Sequence, residues 1–360
     1  MKKWLSLTMI FTLAATMLAA CGGGNAEQPA DETPAAEQPA AETPAAETPA
    51  AEQPAKSDIK IGMVTDFGGV NDNSFNQSAW EGLKAFGDAS GIEYNYLQSA
   101  QDSDYIPNLN QFVQEGWDLI WGIGFLLQDA MLEVANQNPD AKFAIIDGVV
   151  DAPNVASVTF KEHEGAFLVG VVAGLMTESN KIGFVGGIDI PVIQRFEAGF
   201  REGIKAVNPD AEVIENYTGS FAAADQGKAA AATMYNQGAD IIFHAAGATG
   251  DGVFNEAQEQ KAAGKNVWVI GVDKDQSITF GNEITLTSMM KRVDQAMQTV
   301  SQSLVDGSFT PGIVNLGIAE NGVGLPENNP NVPADVLAKV QEFSDKIKNG
   351  EIVVPETPVE

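Results

Sequence analysis

The chain has 360 residues, with 49 acids against 20 bases, one cysteine and a formal net charge of −29. Such an acidic balance disfavours a nucleic-acid-binding surface, because phosphate contacts need a basic face. The lone Cys21 leaves no partner for a disulfide, and it rules out a cysteine metal cluster.

Lys2 and Lys3 precede an almost uninterrupted apolar run, Trp4 to Ala20, which ends in Leu18-Ala19-Ala20-Cys21. The run is too short and wrongly flanked for a stop-transfer helix, so residues 1–20 read as a secretory signal. Its end resembles a bacterial lipobox with Cys21 as the lipid acceptor. A diacylglycerol on that sulfur plus an amide-linked chain would anchor the protein in the membrane far more firmly than one acyl chain. Residues 26–55 are six alanine-, glutamate- and proline-containing pentapeptides of the type AEQPA. Proline in every unit stops a helix, and alanine offers too little apolar surface to offset ordering. Residues 21–57 therefore read as a lipidated tether. At about 3.1 Å per residue in polyproline II, its roughly 35 residues span at most about 110 Å. They hold only seven of the acids, so the charge excess stays with the folded part.

From Asp58 the pattern changes. Ile59–Val64 reads as a strand, and Ala79, Leu83 and Phe86 fall on one helical face after Ser74. Strand-like runs at 92–97, 118–122, 142–147 and 156–160 alternate with helical stretches at 104–115 and 128–136. After a long apolar helix at 162–177 the rhythm restarts. Strands at 181–186, 212–217, 240–245 and 266–272 alternate with helices at 193–207, 225–236 and 253–263. A strand at 284–289, a helix at 291–306, a strand at 313–318 and a last helix at 333–348 complete the chain. This β-α alternation predicts parallel sheets covered by helices, and two such series predict two similar α/β lobes. The expected first lobe is 58–160 plus about 288–312. The second is 161–287 plus about 313–360.

Ligands of parallel sheets lie beyond the carboxyl ends of the strands. Asp66, Phe125 with Asp129, and Asp147 stand at those ends in the first series; Gly247 and Asp273 stand there in the second. Asp72, Asn73 and Ser74 are N-cap types, so Phe75 and Asn76 fall in the first turn of a helix that faces the strand ends. A phenylalanine there suits stacking on a planar ring. On the bare pattern, a core Phe75 and a turn-forming Asp66 explain the residues as well.

The run Asp66…Asp72-Asn73-Ser74-Phe75-Asn76-Gln77 with Trp80-Glu81-Gly82 resembles the opening motif of the basic membrane protein family, nucleoside-binding lipoproteins of ABC transporters. Further matches follow in order: Gly124-Phe125 with Asp129-Ala130, Phe184-Val185-Gly186-Gly187, Phe196-Glu197-Ala198-Gly199-Phe200 and Gly219-Ser220-Phe221. Then come Ala246-Gly247-Ala248-Thr249-Gly250, Gly271-Val272-Asp273-Lys274-Asp275-Gln276 and Thr287-Ser288-Met289-Met290-Lys291. The resemblance implies a type I periplasmic-binding-protein fold, with two Rossmann-like lobes, a central cleft and hinge crossovers. It implies a purine nucleoside stacked between Phe75 and Phe221, with Asp66 and Asn76 at the base edge. Gly247, Asp273 and Lys291 would line the ribose, with Asp129 and Asp147 as further ligand contacts. It also implies an ABC permease partner, a monomer held on the extracytoplasmic face of the cell membrane, and no cofactor or metal. A sugar receptor of the same fold, or a surface or sensory lipoprotein without transport, are the alternatives.

Catalytic motifs do not emerge. His163 and His244 are the only histidines, and no P-loop, HExxH or G-x-S-x-G is present. His244 lies on an apolar strand and reads as a core histidine. The glycines at 247–252 lack a neighbouring lysine and read as a place where a ligand approaches the backbone. The lipid anchor has a direct test: Cys21→Ala should abolish incorporation of labelled fatty acid. Equal labelling of both proteins would remove the anchor.

Overall fold

A computed structural model describes residues 58–358; the signal, Cys21 and the proline repeats lie outside them. The chain begins with β1 (Lys60–Thr65), α1 (Phe75–Ser90), β2 (Glu93–Gln98), α2 (Tyr105–Gln114), β3 (Leu119–Ile123), α3 (Gln128–Gln137), β4 (Phe143–Ile146) and β5 (Val155–Phe160). It then crosses into α4 (Glu162–Met176), β6 (Lys181–Gly186), α5 (Pro191–Val207), β7 (Glu212–Tyr217), α6 (Ala224–Asn236) and β8 (Ile241–Ala245). That half continues through α7 (Thr249–Ala262), β9 (Trp268–Asp273), α8 (Ser277–Phe280) and β10 (Thr285–Lys291). The remainder is α9 (Val293–Val305), β11 (Gly312–Leu316), β12 (Val323–Gly324) and α10 (Ala334–Lys348).

Two six-stranded sheets result, ordered β11-β5-β4-β3-β1-β2 and β12-β10-β9-β8-β6-β7. All pairings are parallel except β10 with β12. Central strands are buried on both faces and are correspondingly apolar: Leu119-Ile120-Trp121-Gly122-Ile123 is buried throughout. Edge strands β2 and β7 are partly exposed and carry charge.

The lobe boundaries differ from those expected. β10 stays in the second sheet through Lys291, and the chain returns to the first lobe only for α9, which packs on α1. β11 pairs with β5, so residues 312–316 belong to the first sheet and not to the second lobe. A long-range parallel pairing of this kind leaves no local signature in an exposed strand. Three segments thus connect the lobes, and they are tied together. Lys161 N donates to Leu316 O over 2.9 Å, Arg292 N to Gly322 O over 2.9 Å, and Ile318 N to Glu164 Oε2 over 2.8 Å.

α4 is nearly all apolar because it is sandwiched between α5 and α10. Glycines let the α4 and α5 backbones touch. A Cβ on Gly203 would stand 2.1 Å from Phe167 O, and one on Gly199 would stand 2.0 Å from His163 O. Phe167 meets Phe343 of α10 with ring centroids 5.4 Å apart. Overpacking such a contact costs about 1–3 kcal/mol. Gly203→Ala should therefore lower the denaturation midpoint, whereas Gly324→Ala, with open space around it, should leave stability within about 0.5 kcal/mol. Equal midpoints for the two variants would contradict the close helix contact.

Candidate functional site

β1 delivers Asp66 to the cleft, and the following turn delivers Asp72. The Asp72 carboxylate accepts the backbone N–H groups of Ser74 and Asn76 at 2.9 Å and of Gln77 at 3.0 Å. It thereby caps α1 and satisfies donors a helix start leaves free. Asn76 Nδ2 donates to Asp66 Oδ1 at 2.8 Å and to Asp72 Oδ2 at 3.0 Å. Its Oδ1 is buried with no partner among the described residues.

Four other strand exits share one backbone device. Gly124 after β3, Asp147 after β4, Gly247 after β8 and Asp273 ending β9 all have positive φ: 112°, 66°, 56° and 65°. Such residues turn the chain sharply where the strand stops. Aspartate tolerates this conformation better than most residues, though at a cost. All four line a single interlobe cavity with about 560 Å³ of empty space, part of it open to solvent.

The same cavity gathers Asp66, Phe75, Asn76, Phe221 and Lys291. Phe75 is the first residue of α1. Phe221 sits between β7 and α6 on the other lobe, packed against Gly187, where a Cβ would stand 2.3 Å from its ring. Both rings are half-buried. Asp129 is not part of the cavity. It is exposed in the first turn of α3, because the short helical turn 125–127 after Gly124 brings Phe125 and Leu126 inward instead.

Lys291 also departs from expectation. It ends β10, paired with Val323, and the helix starts only at Val293. It is 1% exposed, with Nζ 2.6 Å from Asp147 Oδ2 and 3.0 Å from Glu162 Oε1. Arg195 Nε donates to Glu162 Oε2 at 2.6 Å. Glu162 and Arg195 have no signal in motif or spacing; only Glu162's place at a lobe crossing sets it apart. Phe196, Val192 and Ile193 of α5 also line the cavity. A helix face with an amphipathic period hides which of its apolar residues meet a cleft.

Burial governs the charges. It pushes Asp66 up to about 6 and Asp273 up to about 7. It also raises Asp147, although Lys291 opposes it. Burial pushes Lys291 down, but Asp147, Glu162 and Asp273 outweigh it and hold the ammonium above the ordinary lysine range. His244 lies behind the cavity, 2.8 Å from Gln276 Oε1, and burial lowers it to about 4. Gly250 packs on its ring, and Gly252 packs on the Ala224 backbone. Only Gly247 of these three glycines therefore lines the cavity.

Four contacts cross the rim between the lobes. Ser74 Oγ donates to Asp273 Oδ2, Asn73 Nδ2 to Asp251 Oδ2 at 3.0 Å, and Gln276 Nε2 to Asn73 O at 3.0 Å. Lys274 Nζ lies 2.7 Å from a Glu81 carboxylate oxygen.

The sequence profile described as "ABC transporter substrate-binding protein PnrA-like" matches residues 59–358. The chain belongs to this family. It is 50% identical over 318 residues to the CD4+ T-cell-stimulating antigen of Listeria monocytogenes, covering 84% of this chain and 89% of that protein. It is 41% identical over 317 residues to the ABC transporter nucleoside-binding protein BmpA of Lactococcus lactis, covering 83% and 90%. A solved ABC transporter solute-binding protein from Aeropyrum pernix superimposes with a TM-score of 0.76 at 31% identity, covering 82% of this chain and 94% of that one. The expected family and fold are borne out. PnrA-like proteins bind solutes for ABC transporters and are not enzymes.

Asp273 offers a test of the site's electrostatics. Its folded pKa lies above the unfolded value near 3.8, so the folded protein favours the neutral acid. Stability therefore declines as pH rises from about 4 through about 7. Asp273→Asn cannot ionise and keeps a partner for Ser74. Melting curves should show the variant gaining on the wild type between pH 5 and pH 8. A difference independent of pH would mean that Asp273 ionises freely.

Proposed function

We propose that this PnrA-like receptor captures purine nucleosides and hands them to a membrane permease, tethered at the membrane through lipidated Cys21. The observation that carries the reading is a half-buried phenylalanine from each lobe, Phe75 and Phe221, in one cavity rimmed by hydrogen-bonding acids. Two rings facing one slot suit a flat heterocycle. Asp66, with the unpartnered Asn76 Oδ1, offers acceptors to the N–H groups of a base edge. Asp147 Oδ1, also unpartnered, and Asp273 offer acceptors to ribose hydroxyls, with Gly247 allowing close approach and Lys291 donating. Four carboxyl groups, those of Asp66, Asp72, Asp147 and Asp273, line the cavity beside one ammonium. That balance gives no positive field to attract a phosphate and favours the neutral nucleoside over a nucleotide. The nucleoside binding for which the Lactococcus relative is named agrees with this reading.

Stacking of a base on an aromatic side chain is worth about 1–3 kcal/mol by alanine substitution, or roughly ten- to a hundredfold in affinity. Phe75→Ala and Phe221→Ala should each weaken nucleosides by that factor, and their effects need not add, since both rings act through one ligand. Calorimetry with nucleosides, free bases and sugars measures this. Unchanged nucleoside affinity in either folded variant would sink the clamp and favour a sugar site.

A further inference from the structure

Among the described residues, the one ammonium that lines the cavity is fixed from behind. Lysine has three N–H donors. One of those on Lys291 goes to Asp147, and the ammonium also sits 3.0 Å from Glu162 Oε1 as an ion pair. The rings of Phe75 and Phe160, each with its centroid 5.1 Å from Nζ, and of Phe196 at 5.6 Å flank the same ammonium. Glu162 is fully buried and does not line the cavity. It cannot touch a ligand there, yet it holds Lys291 with one oxygen and Arg195 with the other. Arg195 does not line the cavity either.

We infer that Glu162 and Arg195 are positioning residues for the ligand: they hold Lys291 and Asp147 so that one ammonium N–H and one carboxylate oxygen face the cavity. Asp147 gives Oδ2 to Lys291 and leaves Oδ1 unpartnered. Without the pull of Glu162 the ammonium would turn further toward Asp147 and engage that second oxygen. The arrangement draws on both lobes and a crossing. Asp147 follows β4 of the first sheet, Lys291 ends β10 of the second, Glu162 opens α4 at the first crossing, and Arg195 comes from α5. Two anions and two cations balance within the group, which is how charges persist when buried. The inference rests on the nucleoside reading, which puts Lys291 and Asp147 at the ribose.

The charged and titratable groups around Glu162 are Lys291, Arg195, Asp147 and His163, with Glu356 of the C-terminal segment facing Arg195 and His163. Lys291 and Arg195 together hold the Glu162 carboxyl below the usual glutamate range against the effect of burial. Removing Arg195 must raise it. Glu162 then takes a proton as pH falls, lets go of Lys291, and the ligand loses its partners on the acid side.

The test is calorimetry of adenosine, guanosine and inosine beside adenine, guanine and hypoxanthine, with wild type, Glu162→Gln, Arg195→Met and Arg195→Lys. Glu162→Gln should weaken nucleosides about tenfold, the scale of one charge-assisted hydrogen bond, and leave free bases unchanged. Arg195→Met should lose nucleoside affinity more steeply than wild type between pH 8 and pH 6, and Arg195→Lys should restore most of it. Asp66 and Asp273 titrate in all four proteins, so the ratio to wild type isolates the buried group of Glu162 and Asp147, both of which Arg195 holds down. Unaltered nucleoside affinity in folded Glu162→Gln, equal loss for nucleosides and bases, or parallel pH profiles for Arg195→Met and wild type would each overturn the inference. If Glu162→Gln does not fold, the half-buried Arg195 pair decides by its pH profiles. Wild type that binds no nucleoside overturns the nucleoside reading itself and the ribose role of this group with it.

Discussion

A parallel sheet sends all its strands toward the same edge, and this constraint organises the molecule. Every connection must return over a face as a helix, so the chemistry of the strand exits accumulates at one end. With two such sheets in one chain, both exit ends face one cleft. Asp66, Gly124 and Asp147 arrive from one side, Gly247 and Asp273 from the other. Positive φ at four of these positions shows where the backbone turns sharply, at Asp147 and Asp273 to aim a carboxyl and at Gly124 and Gly247 to clear space. The cores beneath are ordinary. Apolar strands and closely approached helices carry the stability, which leaves the cleft free to hold groups that do not stabilise the fold.

Those groups are mostly acids, and their burial sets the character of the cavity. A buried carboxylate seeks N–H or O–H donors, and the protein supplies only some of them. Asp66 has Gly68 N and Asn76, Asp273 has Ser74, and Asp147 has Lys291. What remains is unfilled acceptor capacity, which a donor-rich neutral solute can satisfy and an anion cannot. The family's role in solute binding and this surplus of acceptors point in the same direction.

Much of this was legible in the sequence because it is local. The alternation of strands and helices, the exits Asp66, Asp147 and Asp273, and the cap that brings Phe75 and Asn76 to the cleft are all set within a few residues. What was not legible depends on distant pairing. β11 is exposed and short, and only its register with β5 puts it in the first lobe. Lys291 reads as a helix start until its pairing with Val323 of β12 is known. Arg195 looks like one more polar residue on an amphipathic helix, since nothing near it in sequence reveals Glu162 as its partner. Asp129 failed for a related reason: one turn of 3₁₀ geometry after Gly124 rotated α3 and swapped an acid for two apolar side chains.

The rim contacts have a consequence for selectivity. Ser74 with Asp273, Asn73 with Asp251, Gln276 with Asn73 and Lys274 with Glu81 join protein to protein. The last three involve no cavity-lining side chain. Their contribution to closing is therefore a common factor for every solute, and it cancels in the ratio of any two affinities. Changes at Glu81, Lys274, Asn73 or Asp251 would scale the whole affinity series up or down and leave its rank order alone. Such a receptor can be adjusted to scarce or abundant supply through its lips while its palate stays the same.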